Sequence, residues 1–446
     1  MTIENLVPST QSLTTPPHEG GSRQGKQLQQ QQQPWQFLSK VLHFAHPDHQ
    51  LWWDTLAPVF GSSLAITGYS IDAQYRHLLK IYAAIIPSLG PFPNAAGTNI
   101  TWRSAIRPGP MEASVNYQGN GATLYRFTVE PTGPHAGTDA DPVNDLAAAQ
   151  LFQHLSHLQE GRLDLSAFGH LRPLLGVDGH EGRTHLDAID ALPCLFHTAI
   201  ALDLKRDSDA SYNVKLYLTP FMRAAMLATD VVSLLFDGLQ HYRATTGSTI
   251  DFGHIEEFMR ERQARLVLER TYVAVDCVDP RRSRMKIYTE TAVTSLAEVY
   301  DFWTLGGRVA GPEIEKGFEL VGKMWKELYP KPLPNGRQRD SMLVQMNWEI
   351  SPDKPGRVSP KIYFTVIDDY DQYVSEAVVG LFKELGWSDQ IQTHKRVEQE
   401  AYPVCHSNPN STNCYMWIAL AYTSESGPYV TVYTYPSANV DRARAN

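Results

Sequence analysis

The pentapeptide Arg284-Met285-Lys286-Ile287-Tyr288 alternates polar and apolar residues, and the chain uses the same device at least three more times. In an extended strand successive side chains point to opposite faces, so Arg284, Lys286 and Tyr288 share one face while Met285 and Ile287 share the other. Lys215-Leu216-Tyr217, Lys361-Ile362-Tyr363 and Tyr433-Thr434-Tyr435 repeat the arrangement. Lys215 and Lys286 are 71 residues apart, Lys286 and Lys361 75, Tyr363 and Tyr433 70. A spacing of that size is the period of a repeated supersecondary unit, each copy delivering one polar-faced strand to a common centre. Any one copy alone also reads as Lys and Tyr on the exposed face of an amphipathic strand. Four regularly spaced copies favour the shared centre.

The rest of the chain fits around these strands. Residues 1–33 are rich in Ser, Thr, Pro, Gly and Gln, and such a segment cannot bury enough apolar surface to offset its ordering entropy. A disordered tail is expected there, followed by one domain over 34–446. Apolar residues recur at three and four from Trp52 to Ile85, predicting helices that end at Pro87 and Gly90-Pro91. Alternation then predicts a hairpin of strands 112–117 and 124–129 around Gly119-Asn120-Gly121. Further strands are expected at 198–204, 212–219, 268–277, 283–290, 343–350, 360–367, 414–422 and 428–435. Helices are expected at 145–158, 221–245, 251–266, 312–328 and 372–385. Strands joined by short turns are antiparallel, because a parallel pair needs a long crossover. About five helix-strand-strand-helix repeats are best satisfied by an α+β fold: a ten-stranded antiparallel barrel surrounded by helices.

Composition narrows the function. The formal net charge of −9 gives no general attraction to nucleic acid or anionic membrane. No apolar run approaches the ~20 residues of a membrane helix, and residues 1–20 lack a signal-peptide pattern. Cys194, Cys277, Cys405 and Cys414 form no CxxC pair and read as reduced thiols, so a soluble cytoplasmic protein is expected. Asp368-Asp369-Tyr370-Asp371-Gln372 looks like an aspartate-rich magnesium motif but reads better as a cap for a helix starting near Tyr373. The run from Gly317 to Lys323 has Met324 where a phosphate-binding loop needs Ser or Thr, and it lies on an amphipathic helical pattern.

If the repeated motifs face inward, Arg126, Lys215, Arg284, Lys286 and Lys361 converge. Buried cations without partners are costly, so the cavity is expected to hold a polyanion such as a diphosphate, without a metal. Tyr217, Tyr288, Tyr363, Tyr415 and Tyr433 would line the wall with ring faces that stabilise a carbocation and exclude water. That combination suits prenyl transfer. Glu112 would accept a hydrogen bond from an indole N–H, orienting the ring and raising its electron density. A Glu112–Arg126 ion pair is the alternative. A polyanion-binding protein without turnover and a metal-dependent terpenoid synthase also stay open.

The chain from about Trp35 to Pro436 resembles the fungal indole prenyltransferases of the dimethylallyltryptophan synthase family. The matching segments are Trp52-Trp53 with Ala57-Pro58, Leu89-Gly90-Pro91, Trp102-Arg103-Ser104, Met111-Glu112-Ala113-Ser114, Arg126 through Glu130-Pro131, Asp203-Leu204-Lys205, Lys215 to Tyr217, Ser283 to Tyr288, Leu305-Gly306-Gly307, Lys361 to Tyr363 and Tyr429 to Tyr433. The resemblance implies the ABBA-type barrel of ten strands ringed by helices, dimethylallyl diphosphate as donor substrate, no cofactor and no metal. It also implies the roles given above for the glutamate, the five cations and the five tyrosines. Lys361 departs from a glutamine common at its position and adds charge. The expected partners are small molecules only, the chain acting as monomer or homodimer.

Within the family, enzymes for free tryptophan hold its carboxylate with an arginine on the strand before the Ser-Arg-x-Lys motif. Counting thirteen residues back from Arg284 reaches the uncharged Thr271, and alternation then places Arg270 on the opposite face. Thr271, with Met111, is therefore expected to set acceptor specificity. The acceptor is expected to be a tryptophan-containing cyclic dipeptide, which agrees with a resemblance of residues 50–92 to cyclic-dipeptide enzymes.

Overall fold

Five hairpins form where alternation meets a turn. β1 (Met111–Gln118) and β2 (Thr123–Val129) are followed by β3 (Thr198–Leu204) and β4 (Tyr212–Leu218), then β5 (Val267–Asp276) and β6 (Met285–Val293). β7 (Met342–Ile350) with β8 (Val358–Thr365) and β9 (Tyr415–Thr423) with β10 (Gly427–Thr434) complete the set. The first turn requires Gly121, whose φ of 83° lies where an L side chain is strained. The computed structural model describes residues 32–439 apart from 95–96, 105, 107–108, 160–162, 208, 330, 335 and 337–338. All but the last two positions of the expected tail lie outside the described residues.

The strands close into a barrel in the order β1-β10-β9-β8-β7-β6-β5-β4-β3-β2, every neighbouring pair antiparallel. Closure by β1 against β10, with Val115 opposite Val432, leaves no strand edge exposed. Outward-facing residues such as Ile287, Trp348 and Ile418 are fully buried under the surrounding helices. Trp348 donates its indole N–H to the Phe302 carbonyl at 3.1 Å, which satisfies its polar atom inside the shell. Helix Pro312–Leu328 buries Ile314, Leu320, Val321, Met324, Trp325 and Leu328. Its Gly317 lies so close to Trp303 that a Cβ would stand 2.6 Å from the ring, so this glycine serves packing.

Three helices differ from the sequence expectation. The span 221–245 divides into Phe221–Met226 and Val231–Thr246, because Asp230 caps the second helix by accepting from the Ser233 N–H. The span 251–266 shortens to Gly253–Glu261. Asp371 does not cap its own helix, Asp371–Glu384. Its carboxylate accepts from Ser411 and from the backbone N–H groups of Asn413, Cys414 and Tyr415, tying that helix to the start of β9. Helix Ser388–Ala401, too polar to show an apolar stripe, was not anticipated.

Candidate active site

The barrel encloses a cavity with about 910 Å³ of unfilled space, including its open mouth, and alternate strands supply its charges. Arg126 comes from β2, Lys215 from β4, Lys286 from β6 and Lys361 from β8, each on the second strand of its hairpin. Arg284 immediately precedes β6, is not part of the cavity wall and has a side chain 39% exposed, against 19% for Lys286. It therefore stands beside the cavity wall it was expected to join, linked to Lys286 through Glu349.

The cations are not without partners. Arg126 lies directly across from Asp203, Lys215 from Asp276 and Lys286 from Glu349, so opposite charges meet on the same face of paired strands. Asp203 pairs with Lys215 and, at 3.5 Å, with Arg126. Glu349 pairs with Lys286 at 3.0 Å and with Arg284 at 3.3 Å, and Asp276 takes Arg284 at 2.8 Å. The four cavity-wall cations and the neighbouring Arg284 face three carboxylates, Asp203, Asp276 and Glu349, so basic groups outnumber acidic ones by two. Lys361 donates to Thr431 Oγ1 at 3.4 Å and sits 4.9 Å from the Tyr363 ring centre and 5.2 Å from that of Tyr429. Burial, reinforced by Arg126, Lys286 and Lys215, pushes the Lys361 amine well below its ordinary range. Burial also takes Lys215 down to about 8, although Asp203 opposes the shift. The Glu349 carboxyl would be raised by burial, but Lys286 and Arg284 outweigh that and hold it near 2. An incoming polyanion would relieve the mutual repulsion of these cations.

Next to the cations runs a continuous aromatic girdle. Tyr272 stacks on Tyr288 at 4.6 Å, Tyr288 lies 5.8 Å from Tyr217 and 6.2 Å from Tyr363, and Tyr363 lies 5.7 Å from Tyr433. Trp417 and Phe196 extend it at 6.4 and 5.6 Å. Such a ring of π faces lowers the energy of a cation held between them and keeps water away.

Tyr415, expected on the cavity wall, is not part of it. A register shift in β9 pairs Tyr433 with Trp417 but Thr434 with Tyr415, so one extra residue, Met416, lies between them and the side-chain alternation reverses. Trp417 takes the inward place. Tyr415 instead faces helix Ser388–Ala401, where its hydroxyl donates to Glu398 and contacts His394 at 3.4 Å.

Glu112 lines the cavity on β1 and is hydrogen-bonded to Thr128, while Arg126 is engaged by Asp203 and Tyr429. The Glu112–Arg126 pair weighed above is thus replaced by two other partnerships. Burial pushes the Glu112 carboxyl up to about 7, with Thr128 and Lys361 acting in the opposite direction. Met111 alternates with it and packs in the outer core at 4% exposure, so it cannot touch a molecule in the cavity.

β5 departs furthest from expectation. Tyr272 pairs with Tyr288 and Ala274 with Lys286, which puts Tyr272 and Ala274 on the inner face, but the register shifts between Val267 and Tyr272. Within that irregular stretch Arg270 lines the cavity, whereas Thr271 is fully buried outside it with its hydroxyl 3.1 Å from Thr289. Counting along the chain from Arg284 crossed the β5–β6 connection, where facing depends on the register of the hairpin and not on residue number. Sequence reading also missed Asp203, Asp276, Glu349, Tyr272, Glu290 and Gln345 as members of the site. For Glu290 a signal existed, since the alternation of Lys286 and Tyr288 continues to it. Among the described residues no group of three or more His, Cys, Asp or Glu could hold a metal ion, and no helix is long and apolar enough to cross a membrane.

Comparison with known proteins gives a consistent picture. Residues 48–397 match the family model described as tryptophan dimethylallyltransferase. Echinulin prenyltransferase 1 of Aspergillus ruber is 30% identical over 90% of this chain and 97% of its own length. Tryptophan dimethylallyltransferase 2 of Epichloe coenophiala is also 30% identical, over 90% of this chain and 92% of its own. The crystal structure of NotF with brevianamide F and DMSPP superposes with a TM-score of 0.80 at 27% identity, covering 91% of this chain and 99% of NotF.

Proposed function

The chain belongs to the tryptophan dimethylallyltransferase family and is an enzyme of the prenyltransferase type, and from that premise we propose that it transfers a dimethylallyl group from dimethylallyl diphosphate to the indole ring of a tryptophan-containing cyclic dipeptide. The observation that carries the reading is the juxtaposition in one cavity of excess positive charge, an unbroken aromatic girdle and the buried Glu112. In this reading Arg126, Lys215, Lys286 and Lys361 hold the diphosphate, and Arg284 acts from outside the cavity wall through Glu349, which it shares with Lys286. As the C–O bond breaks, the four cations take up the charge developing on the leaving group. Tyr217, Tyr272, Tyr288, Tyr363 and Tyr433 enclose the allyl cation until the indole attacks it. Glu112 accepts the indole N–H and stabilises the positive charge that the ring acquires. Residues 34–446 act as one catalytic domain, in the cytoplasm, as a monomer or homodimer.

The cyclic-dipeptide acceptor rests on the resemblance of residues 50–92. The inward Arg270 supports a second reading, free tryptophan, since a guanidinium there could hold a carboxylate. Competition between equimolar tryptophan and cyclo-Trp-Pro for limiting enzyme, read by mass spectrometry, separates them: a higher kcat/KM for the cyclic dipeptide is expected, and a higher value for tryptophan overturns that choice. Charge neutralisation is assigned to side chains, so turnover is expected to survive excess EDTA. Loss of activity that magnesium restores would overturn the metal-independent mechanism.

A further inference from the structure

Of the three carboxyl groups lining the cavity, Asp203 pairs with Lys215 and Arg126, and Glu112 faces the girdle. The reaction above gives Glu290 no task, yet its side chain is enclosed at 3% exposure. It stands on β6 four residues beyond Lys286, which along a strand is ~13 Å from the cation cluster. Tyr288 lies between them on the same face. That order of cation, ring and carboxyl matches a diphosphate, then a prenyl chain and indole, then whatever the indole carries. Around Glu290 the wall changes from aromatic to hydrogen-bonding. Gln345, directly across on β7, donates to its carboxyl at 3.2 Å, and Arg270 on β5 lies close enough to act on it electrostatically. A cluster of buried carboxyl and amide with a half-buried guanidinium complements peptide-like groups, not hydrocarbon. Burial pushes the Glu290 carboxyl up to about 7, which Arg270 and Gln345 oppose without overcoming.

We propose that Glu290 is a specificity-determining residue of the acceptor site, its carboxylate accepting a hydrogen bond from the N–H of the acceptor's amino-acid backbone, amide or ammonium. The contact anchors the end of the acceptor remote from the allyl cation and so sets which ring atom meets it. This inference rests on the prenyl-transfer reading of the cavity.

The test assays the full chain and its Glu290→Gln and Glu290→Leu variants with dimethylallyl diphosphate and two acceptors: cyclo-Trp-Pro, or tryptophan if that is preferred, and 3-methylindole, which has the ring but no backbone N–H. With the backbone-bearing acceptor, kcat/KM is expected to fall roughly 10-fold in Glu290→Gln and further in Glu290→Leu, mainly through KM. With 3-methylindole the change should stay within about threefold, and donor KM should not move. Equal losses on both acceptors would make Glu290 merely structural, and no loss on the backbone-bearing acceptor would remove the contact; either overturns the proposal. If Glu290→Leu does not fold, Glu290→Gln carries the test, since it keeps the side-chain volume and an oxygen for Gln345. A wild-type enzyme that prenylates neither acceptor overturns the prenyl-transfer reading itself, and this inference with it.

Discussion

At the cation end of the cavity, Lys215, Lys286 and Lys361 each stand two residues before a tyrosine on the same strand, whereas at the other end Arg270, Glu290 and Gln345 come one each from β5, β6 and β7. The first arrangement is written within single strands and repeated with the hairpin. The second exists only because three strands pair side by side, with a register shift in β5 between Val267 and Tyr272. The charges also differ in how they are answered: the cation end keeps an excess of positive charge, and at the other end Glu290 faces Arg270. One end leaves basic groups in excess, whereas at the other a carboxyl, an amide and a guanidinium answer one another.

The largest expected effect comes from the cavity carboxyl that Thr128 holds. Glu112→Gln keeps size but weakens acceptance of the indole N–H, so kcat should fall by ~10² or more while donor KM changes little. The pH profile sharpens this. Burial raises the Glu112 carboxyl to about 7, and only the ionised form accepts the N–H, so acceptor kcat/KM should fall as pH drops through 7. A variant with near wild-type kcat would leave Glu112 a structural partner of Thr128.

Next in size is the contrast inside the cation end. Lys286→Ala removes a charge from the cavity wall and Arg284→Ala a more exposed one outside it, so donor KM should rise ~10-fold or more in the first and only a few-fold in the second. Steady-state kinetics with varied dimethylallyl diphosphate would decide. Equal effects, or a loss confined to acceptor affinity, would break the division between the ends.

The smallest effect tests a residue that alternation assigned to the cavity and a bulge removed from it. Tyr415→Phe deletes the hydroxyl bound to Glu398 outside the barrel, so kcat and both KM values should stay within about threefold while Tm drops by a few degrees. A large fall in kcat with unchanged Tm would return Tyr415 to the cavity wall.

All ten strands lie within a few residues of where alternation and turn composition place them, and Lys215, Tyr217, Lys286, Tyr288, Lys361 and Tyr363 face the cavity as their strands require. This much is legible in the sequence because side-chain alternation is a property of two adjacent peptide units, and nothing distant is needed to enforce it. The sequence by itself could not determine what alternation loses. One extra residue in β9 turned Tyr415 outward, and the β5–β6 register turned Arg270 inward and Thr271 outward. The carboxylates answering the cations, Asp203 and Glu349, reach them from neighbouring strands, Glu349 63 positions along the chain from Lys286. Which residue faces the cavity beyond a bulge or a turn, and which charge meets it, depends on how separate strands pair, and only the closed barrel decided that.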